Sequence, residues 1–475
     1  VPRELVTVFA GYGAVNEAWA LRPVIKYGAA TTALYGPLLG FFGPSTEVII
    51  GTNLVFGLLT VLCAGALAGR MGGGLVAGLV AIALTGLLPA LLRDRASESI
   101  LVPMSFWVLA SMVHLDRWRE DGCRGHLLAT AIMGALALHA RPEVWVVLPL
   151  LWIAALSLTP GTRRPHLVIV GALALAAPRL WSLIHYTSAA SQSGDVPGLS
   201  DGAFAGFVER FLGLNSLWWP EVFPVSAGLV ALAAWVLVPR ASRLAVGLML
   251  VASVVWQALS TLDLPEVSAP RTQAPAMLWV ALVASVALGR LFVAAGPSRL
   301  VAGVVALLVL VPTPANLDYL WRPTNAQRFD DWWGRAIATV PDDGKDRCVV
   351  ALDMSDPPRD AVIRLYPHYE LAVRSGRLEV FGLTTFLEAP ARVLDGHCEP
   401  LYIEGPQCRA RTIAPGTEPP PTAEHLPVCA KIHADFKLNP LSVEDADNAG
   451  NADFSVYGLS PTLRYGLYRI GGPTK

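Results

Sequence analysis

Between residues 48 and 314 the chain is a train of apolar blocks separated by Arg, Pro and Gly. The blocks at 54–68, 75–92, 100–113, 167–177, 229–238, 244–255, 278–288 and 301–311 carry almost no charge. They are too long and too closely spaced for the core of a water-soluble domain. A helix satisfies its backbone polar groups within its own segment, so such blocks are at home in lipid. At roughly 20 residues per span the pattern predicts about ten membrane helices. They fall near 48–69, 73–92, 98–115, 126–140, 143–158, 166–185, 222–239, 243–261, 274–296 and 300–314. Pro142 breaks the fourth from the fifth, because the residue before a proline is driven out of the helical region.

The flanks read differently. In residues 3–20, Leu5, Val8, Phe9, Tyr12, Val15 and Trp19 recur at helical spacing, with Arg3, Glu4, Asn16 and Glu17 elsewhere. This predicts an amphipathic helix in the membrane interface, with Tyr12 and Trp19 at headgroup level. The apolar run at 28–42 is too short to span and predicts a second interfacial or re-entrant helix. Residues 186–221 form a long loop, a candidate lid.

After residue 315 the periodicity changes to that of a small α/β domain. A helix is expected at 327–340, with Phe329, Trp332, Trp333 and Ile337 on one face. A second is expected at 357–374, stopped by Gly376. Strands are expected at 348–352, 378–381 and 401–403. The runs at 454–459 and 463–470 read as a closing hairpin. The division is therefore 1–47, interfacial helices; 48–314, membrane helices; 315–475, a tail domain.

Composition sharpens this picture. Of 475 residues 53% are hydrophobic and 15% charged, with a mean hydropathy of +0.49; an average soluble chain is about 25% charged. The net charge of −1 offers no basic face for a nucleic acid. Among the six cysteines, Cys348, Cys398, Cys408 and Cys429 lie in the tail. Disulfides are expected there, with the connectivity left open. No zinc-type Cys/His spacing, Walker loop, G-x-S-x-G or H-E-x-x-H occurs.

Loop charges set the sidedness. Arg70, Arg117, Arg119, Arg124, Arg163, Arg164, Arg240, Arg243, Arg290 and Arg299 fall in alternate loops, which the positive-inside rule places in the cytoplasm. The front segment, loop 93–97, the break at 141–142, loop 262–273 and the tail then lie outside. An external start followed by an inward span predicts a further span upstream of Val1.

Six stretches now line up in order. They are Arg22-Pro23-Val24-Ile25-Lys26-Tyr27; Phe42-Gly43-Pro44-Ser45; Gly69-Arg70-Met71-Gly72-Gly73; Arg93-Asp94-Arg95-Ala96-Ser97-Glu98; His139-Ala140-Arg141-Pro142-Glu143; and Pro270-Arg271-Thr272-Gln273. In order and spacing they resemble the C-type glycosyltransferase superfamily, whose members include protein O-mannosyltransferases and aminoarabinose transferases. The resemblance covers most of residues 20–315. It implies an α-helical polytopic fold with a small extracytoplasmic C-terminal α/β domain, in a bacterial inner membrane. It also implies transfer of a sugar from a polyprenyl-phosphate donor to an extracytoplasmic glycan, lipid or protein.

In that superfamily an acidic residue in the first external loop acts as general base or metal ligand, so a divalent metal ion is the one cofactor the resemblance allows. Glu4, Glu17 and Glu47 are the acids in residues 1–47, and no Asp-Glu or Asp-x-Asp pair occurs there. That departure keeps a non-catalytic structural or assembly subunit open as the alternative. A donor phosphate calls for cations at the external end of the spans. Arg22, Lys26, Arg93, Arg95, Arg141 and Arg271 are those cations. Glu98, Glu143 and Glu17 are the carboxylates, Glu98 and Glu17 being the candidate catalytic acids. A transporter is disfavoured, because the chain has no repeated halves.

Overall fold

The computed structural model describes residues 30, 34–35, 37–38, 41–42, 46–95, 100–159, 166, 168–177, 180, 225–263, 273–293, 299–301, 303–304, 317, 325–351, 370–405, 408, 410–411, 427–447, 458–459 and 462–474. These fall in two compact units, one within residues 20–321 and one within 322–475.

The first unit is helical. Its helices are α1 (Thr46–Ala68), α2 (Gly74–Leu87), α3 (Pro89–Arg95), α4 (Leu101–Asp121), α5 (Arg124–Ala140), α6 (Val144–Leu158), α7 (Val225–Leu237), α8 (Arg240–Asp263) and α9 (Ala274–Val293). A further apolar helix covers Val168–Ala177. Among the described residues three helices are long and apolar enough to cross a membrane: Glu47–Gly72, Arg240–Leu259 and Ala274–Val293. The outward faces of this unit are apolar, with Leu54, Leu58, Leu62, Leu75, Val170 and Val236 exposed. That is the surface a lipid solvent demands and water forbids.

Helix α9 is the core of the unit. Every residue from Ala274 to Gly289 is buried, and α9 packs against α2, α7 and α8. Small residues allow this approach. At Gly289 a Cβ would lie 2.7 Å from both Cα and N of Ala77, so the backbones of α9 and α2 meet there. Helices α1 and α2 cross in the same way: a Cβ on Gly78 would lie 3.0 Å from the carbonyl oxygen of Gly65. The turn between α1 and α2 needs Gly72, whose φ of 97° is a left-handed conformation open to glycine.

The second unit is α/β. Helix α10 (Asn325–Ile337) leads into β1 (Arg347–Ala351) and β2 (Leu378–Gly382). Then come α11 (Leu383–Glu388), α12 (Ala391–Leu394), β3 (Glu399–Glu404), β4 (Ala410–Arg411), α13 (Pro427–Asp435), β5 (Phe436–Asp447), β6 (Gly458–Leu459) and β7 (Thr462–Pro473). The sheet order is β2-β1-β3-β7-β5. β1 is parallel to β2 and β3, while β7 is antiparallel to β3 and β5. One face is covered by Trp332, Trp333, Ile337, Leu371 and Tyr465. Trp332, Trp333 and Ile337 of the apolar face expected of helix 327–340 are thus buried. The helix before Gly376 ends where expected: the N–H of Gly376 donates to the Ala372 carbonyl at 2.8 Å, and its φ is 70°.

The expected closing hairpin is corrected. β7 pairs along its length with β5, and Gly458–Leu459 pairs instead with Ala410–Arg411. Pro440 and the acids Glu444, Asp445 and Asp447 hide β5 in the sequence. The ladder shifts register between Pro440 and Ser442, which is how a strand accommodates a residue without an N–H. Loop 93–97 is corrected too, since Arg93 and Arg95 lie in α3. Proline is well suited to the first position of α3, so the chain resumes its helix instead of leaving it.

The disulfides pair Cys348 with Cys398 and Cys408 with Cys429. The first joins β1 to the residue just before its neighbour β3. We expect replacement of Cys348 and Cys398 by alanine to destabilise the second unit by about 3–5 kcal/mol, read as a lower urea midpoint for protease resistance of the C-terminal fragment. Resistance unchanged from wild type contradicts a structural role.

Candidate functional site

Two proline breaks organise one end of the membrane unit. Pro89 has no N–H, so the carbonyl of Thr85, four residues earlier, loses its helical partner. In lipid that oxygen must be satisfied by protein. Arg95 does this. Its Nη2 donates to Thr85 O at 2.6 Å and its Nη1 to Gly86 O at 3.3 Å. Gly57 on α1 makes room, since a Cβ there would lie 2.5 Å from Cγ and Cδ of Arg95. One turn earlier on the same face of α1, buried Asn53 accepts a hydrogen bond from the hydroxyl of buried Tyr35. Tyr35, Asn53 and Arg95 therefore line one face of α1. Asn53 had a sequence signal, a lone amide inside an apolar block; Tyr35 had none.

The second break is Pro142. Its missing N–H leaves the Leu138 carbonyl open, and the indole Nε1 of Trp145 donates to it at 3.1 Å. Arg141 and Glu143 flank the proline and form a two-pronged ion pair. Nε of Arg141 donates to Oε2 of Glu143 at 3.1 Å, and Nη2 to Oε1. Both side chains are 4% exposed. Arg93 is half-buried at the end of α3. Glu17, Arg22, Lys26, Glu98 and Arg271 lie outside the described residues.

The opposite end is a polar network. Arg70 pairs with Asp116 and, at 3.0 Å, with Glu120. Thr159 donates to Asp116 at 2.6 Å, and Arg119 donates to the Thr159 carbonyl at 2.7 Å. Arg290 donates to the Gly72 carbonyl at 3.3 Å. A Cβ on Gly72 would touch Pro239 and Ser242. Of the loops that the positive-inside rule put on one side, those of Arg70, Arg119, Arg240 and Arg290 are therefore at one end of the bundle, and Arg163 and Arg164 lie outside the described residues. Helices α1, α2, α4, α5 and α6 alternate in direction, so Arg95, Arg141 and Glu143 share the other end.

No family model matches the chain, and neither does any curated relative. Among solved structures, the crystal structure of apo ArnT from Cupriavidus metallidurans aligns over 98% of this chain and 93% of that chain, with 10% identity and a TM-score of 0.55. The chain has the ArnT fold. A crystal structure of ArnT from the same organism bound to undecaprenyl phosphate aligns over 85% of this chain and 92% of that chain, at 12% identity and a TM-score of 0.48. A mostly helical chain with a small C-terminal sheet unit is the part of the expected architecture that this likeness supports. At this identity the likeness to ArnT is one of fold. The roles of individual residues rest on the chemistry above.

Within that ArnT-like fold, the second unit carries charged clusters of its own. Asp343 is held down at about 2 by the backbone N–H of Lys345, with Lys345 and Arg347 side chains adding to it. His397 is raised by its hydrogen bond to Asp395 and then by Glu379. Asp395 is lowered by the same bond, and Glu379 is lowered first by Arg377. Nε2 of His397 also lies 3.3 Å from Sγ of Cys348. Cys348, His397 and Cys398 are grouped closely enough to hold a metal ion, but the two sulfurs are bonded to each other and offer no thiolate. A raised histidine contributes stability below its unfolded value, and that contribution is lost as pH rises through the folded one. Lowered carboxylates contribute above their unfolded values and lose this as pH falls. Stability of this unit is thus expected to peak between the two ranges. In His397→Gln the decline on the alkaline side should flatten, while on the acid side the part that Asp343 contributes remains. An unchanged alkaline limb in a pH series of melting curves refutes this.

Proposed function

We propose that the protein is a membrane glycosyltransferase that moves a sugar from a polyprenyl-phosphate donor to an extracytoplasmic glycan, lipid or protein. The observation that carries this reading is the ArnT-like fold over nearly the full length of both chains. The arrangement of charge supports it. Arg95, Arg141 and Glu143 lie at the end of the bundle opposite the Arg70–Asp116–Glu120 network. In this reading Arg22, Lys26, Arg93, Arg95, Arg141 and Arg271 form the cationic rim for the lipid phosphate. Arg gives such a phosphate paired, charge-assisted hydrogen bonds. Glu98, or Glu17 from the front segment, takes the proton of the acceptor hydroxyl or amine as it attacks. A divalent ion could share the phosphate charge beside these acids. The membrane is a bacterial inner membrane, with residues 315–475 on its extracytoplasmic side.

The test is transfer from a radiolabelled polyprenyl-phosphate sugar by the full-length protein in nanodiscs, scored on membrane glycan, lipid and protein fractions. Loss of one charged hydrogen bond is worth about 1.5–3 kcal/mol. Arg271→Ala should therefore lower kcat/KM by about 10–100-fold. Transfer unaffected by Arg271→Ala, or none from any donor, overturns the proposal.

A second reading, a non-catalytic subunit of a membrane complex, has its own support. Guanidinium bonds of Arg95 go to the Thr85 and Gly86 carbonyls, and those of Arg141 go to Glu143. A purely structural role would use them in this way. Stoichiometric co-purification with a transferase, in the absence of any transfer by this chain alone, favours it.

A further inference from the structure

The turn between α4 and α5 holds a histidine pair that neither the fold nor the proposed chemistry uses. Nδ1 of His114, near the end of α4, lies 2.9 Å from Nδ1 of His126, in the first turn of α5. The rings are tilted, with an interplanar angle of 32° and centroids 5.1 Å apart. Both side chains are half-buried. The other ring nitrogen of His126, Nε2, faces the carboxylate of Asp121 at 3.4 Å. A carboxylate in that position keeps the proton on Nε2 and turns the Nδ1 lone pair outward, toward His114. Metal-binding histidines are oriented in this way, with a carboxylate or carbonyl on the nitrogen that does not bind the ion.

The spacing suits an ion. With metal–nitrogen bonds of about 2.0–2.1 Å, two nitrogens are about 2.9 Å apart at the right angle of an octahedral ion such as nickel, and about 3.3 Å apart at the tetrahedral angle of zinc, which a small turn of one ring supplies. One shared proton also satisfies two Nδ1 atoms at this distance. A divalent cation can replace that shared proton, and the exchange balances: the ion binds both lone pairs while the proton moves from Nδ1 to Nε2 of His114, so the neutral pair releases none.

We propose that His114 and His126 form a binding site for a divalent transition-metal ion of the imidazole-preferring class, zinc or nickel, with water completing the coordination and Asp121 orienting His126. The ion clamps the end of α4 to the start of α5. It lies at the bundle end that carries Arg70, Asp116 and Thr159, away from Arg95 and Arg141. The site is therefore independent of the transferase reading.

The experiment uses the full-length protein with its purification tag removed, stripped with EDTA and titrated with Zn²⁺ alone by calorimetry in two buffers of different ionisation enthalpy. The expected result is one ion per chain, with no net proton release and hence the same binding heat in both buffers. His114→Ala and His126→Ala should each weaken binding by more than tenfold, and Asp121→Asn by about tenfold. Should an alanine variant fail to fold, zinc-edge X-ray absorption of the wild-type complex decides, with two imidazole nitrogens expected on the ion. No stoichiometric binding overturns the proposal. So does binding that survives both histidine variants, or binding that appears only after reduction and belongs to Cys348, His397 and Cys398.

Discussion

Glu143→Ala, with Arg141 left in place, should destabilise the membrane unit by about 3–5 kcal/mol. The two side chains are buried together at 4% exposure each, with two hydrogen bonds between them. They flank Pro142, at the break between α5 and α6. Removing the carboxylate takes two charged hydrogen bonds from a guanidinium that is nearly out of reach of solvent. The loss is one of desolvation more than of attraction, because a buried pair contributes little net stability against an apolar replacement. The double variant Arg141→Met, Glu143→Leu should therefore recover most of the unfolding midpoint that Glu143→Ala loses. The same pair of variants separates stability from function. If Arg141 also contacts the donor phosphate, the double variant folds but loses transfer. If Arg141 only secures the break, the double variant keeps transfer. Thermal unfolding in nanodiscs, run beside the transfer assay, reads both. A double variant as unstable as Glu143→Ala contradicts the buried-charge account.

Gly289→Leu should be comparably damaging for a different reason. A Cβ at this position meets the backbone Cα and N of Ala77 at 2.7 Å, and backbone cannot rotate aside as a side chain can. Helices α9 and α2 must separate, and α9 also packs against α7 and α8. Overpacking of this kind costs about 3 kcal/mol. Ala77→Gly should rescue only part of it, since it removes the neighbouring methyl but leaves the Cα and N. A Gly289→Leu protein with an unchanged unfolding midpoint would place the contact between α9 and α2 elsewhere.

Much of the membrane unit was legible in its hydrophobic pattern. The spans expected at 48–69, 126–140, 143–158 and 274–296 became α1, α5, α6 and α9 with boundaries within a few residues, while the one at 73–92 is divided at Pro89 between α2 and α3. Length and apolarity are strong signals because lipid leaves the backbone so few alternatives. Proline breaks were visible as interruptions, but their repair was not. That Arg95 would close the carbonyls opened by Pro89, or that Trp145 would close the one opened by Pro142, depends on a side chain folding back over its own helix. Periodicity carries no information on that. The tail domain was less legible. β5 escaped notice because its proline and acids mask an edge strand, and its absence forced β7 toward the wrong partner. The disulfide pairing followed only once β1 and β3 were known to be neighbours. Of the candidate site, the Arg141–Glu143 juxtaposition was readable from adjacency to Pro142. Tyr35 and its bond to Asn53 were not.

Sidedness is the claim on which the placement of the donor end rests, and Cys123 tests it most directly. It is an exposed free thiol, two residues past the end of α4, at the end of the bundle assigned to the cytoplasm. The tail cysteines Cys348, Cys398, Cys408 and Cys429 are all disulfide-bonded. A membrane-impermeant maleimide should leave Cys123 unmodified in intact cells and label it in inverted vesicles, with Cys123→Ser abolishing the signal. Labelling of Cys123 from outside intact cells would reverse the orientation and move Arg95, Arg141 and Glu143 to the cytoplasmic face.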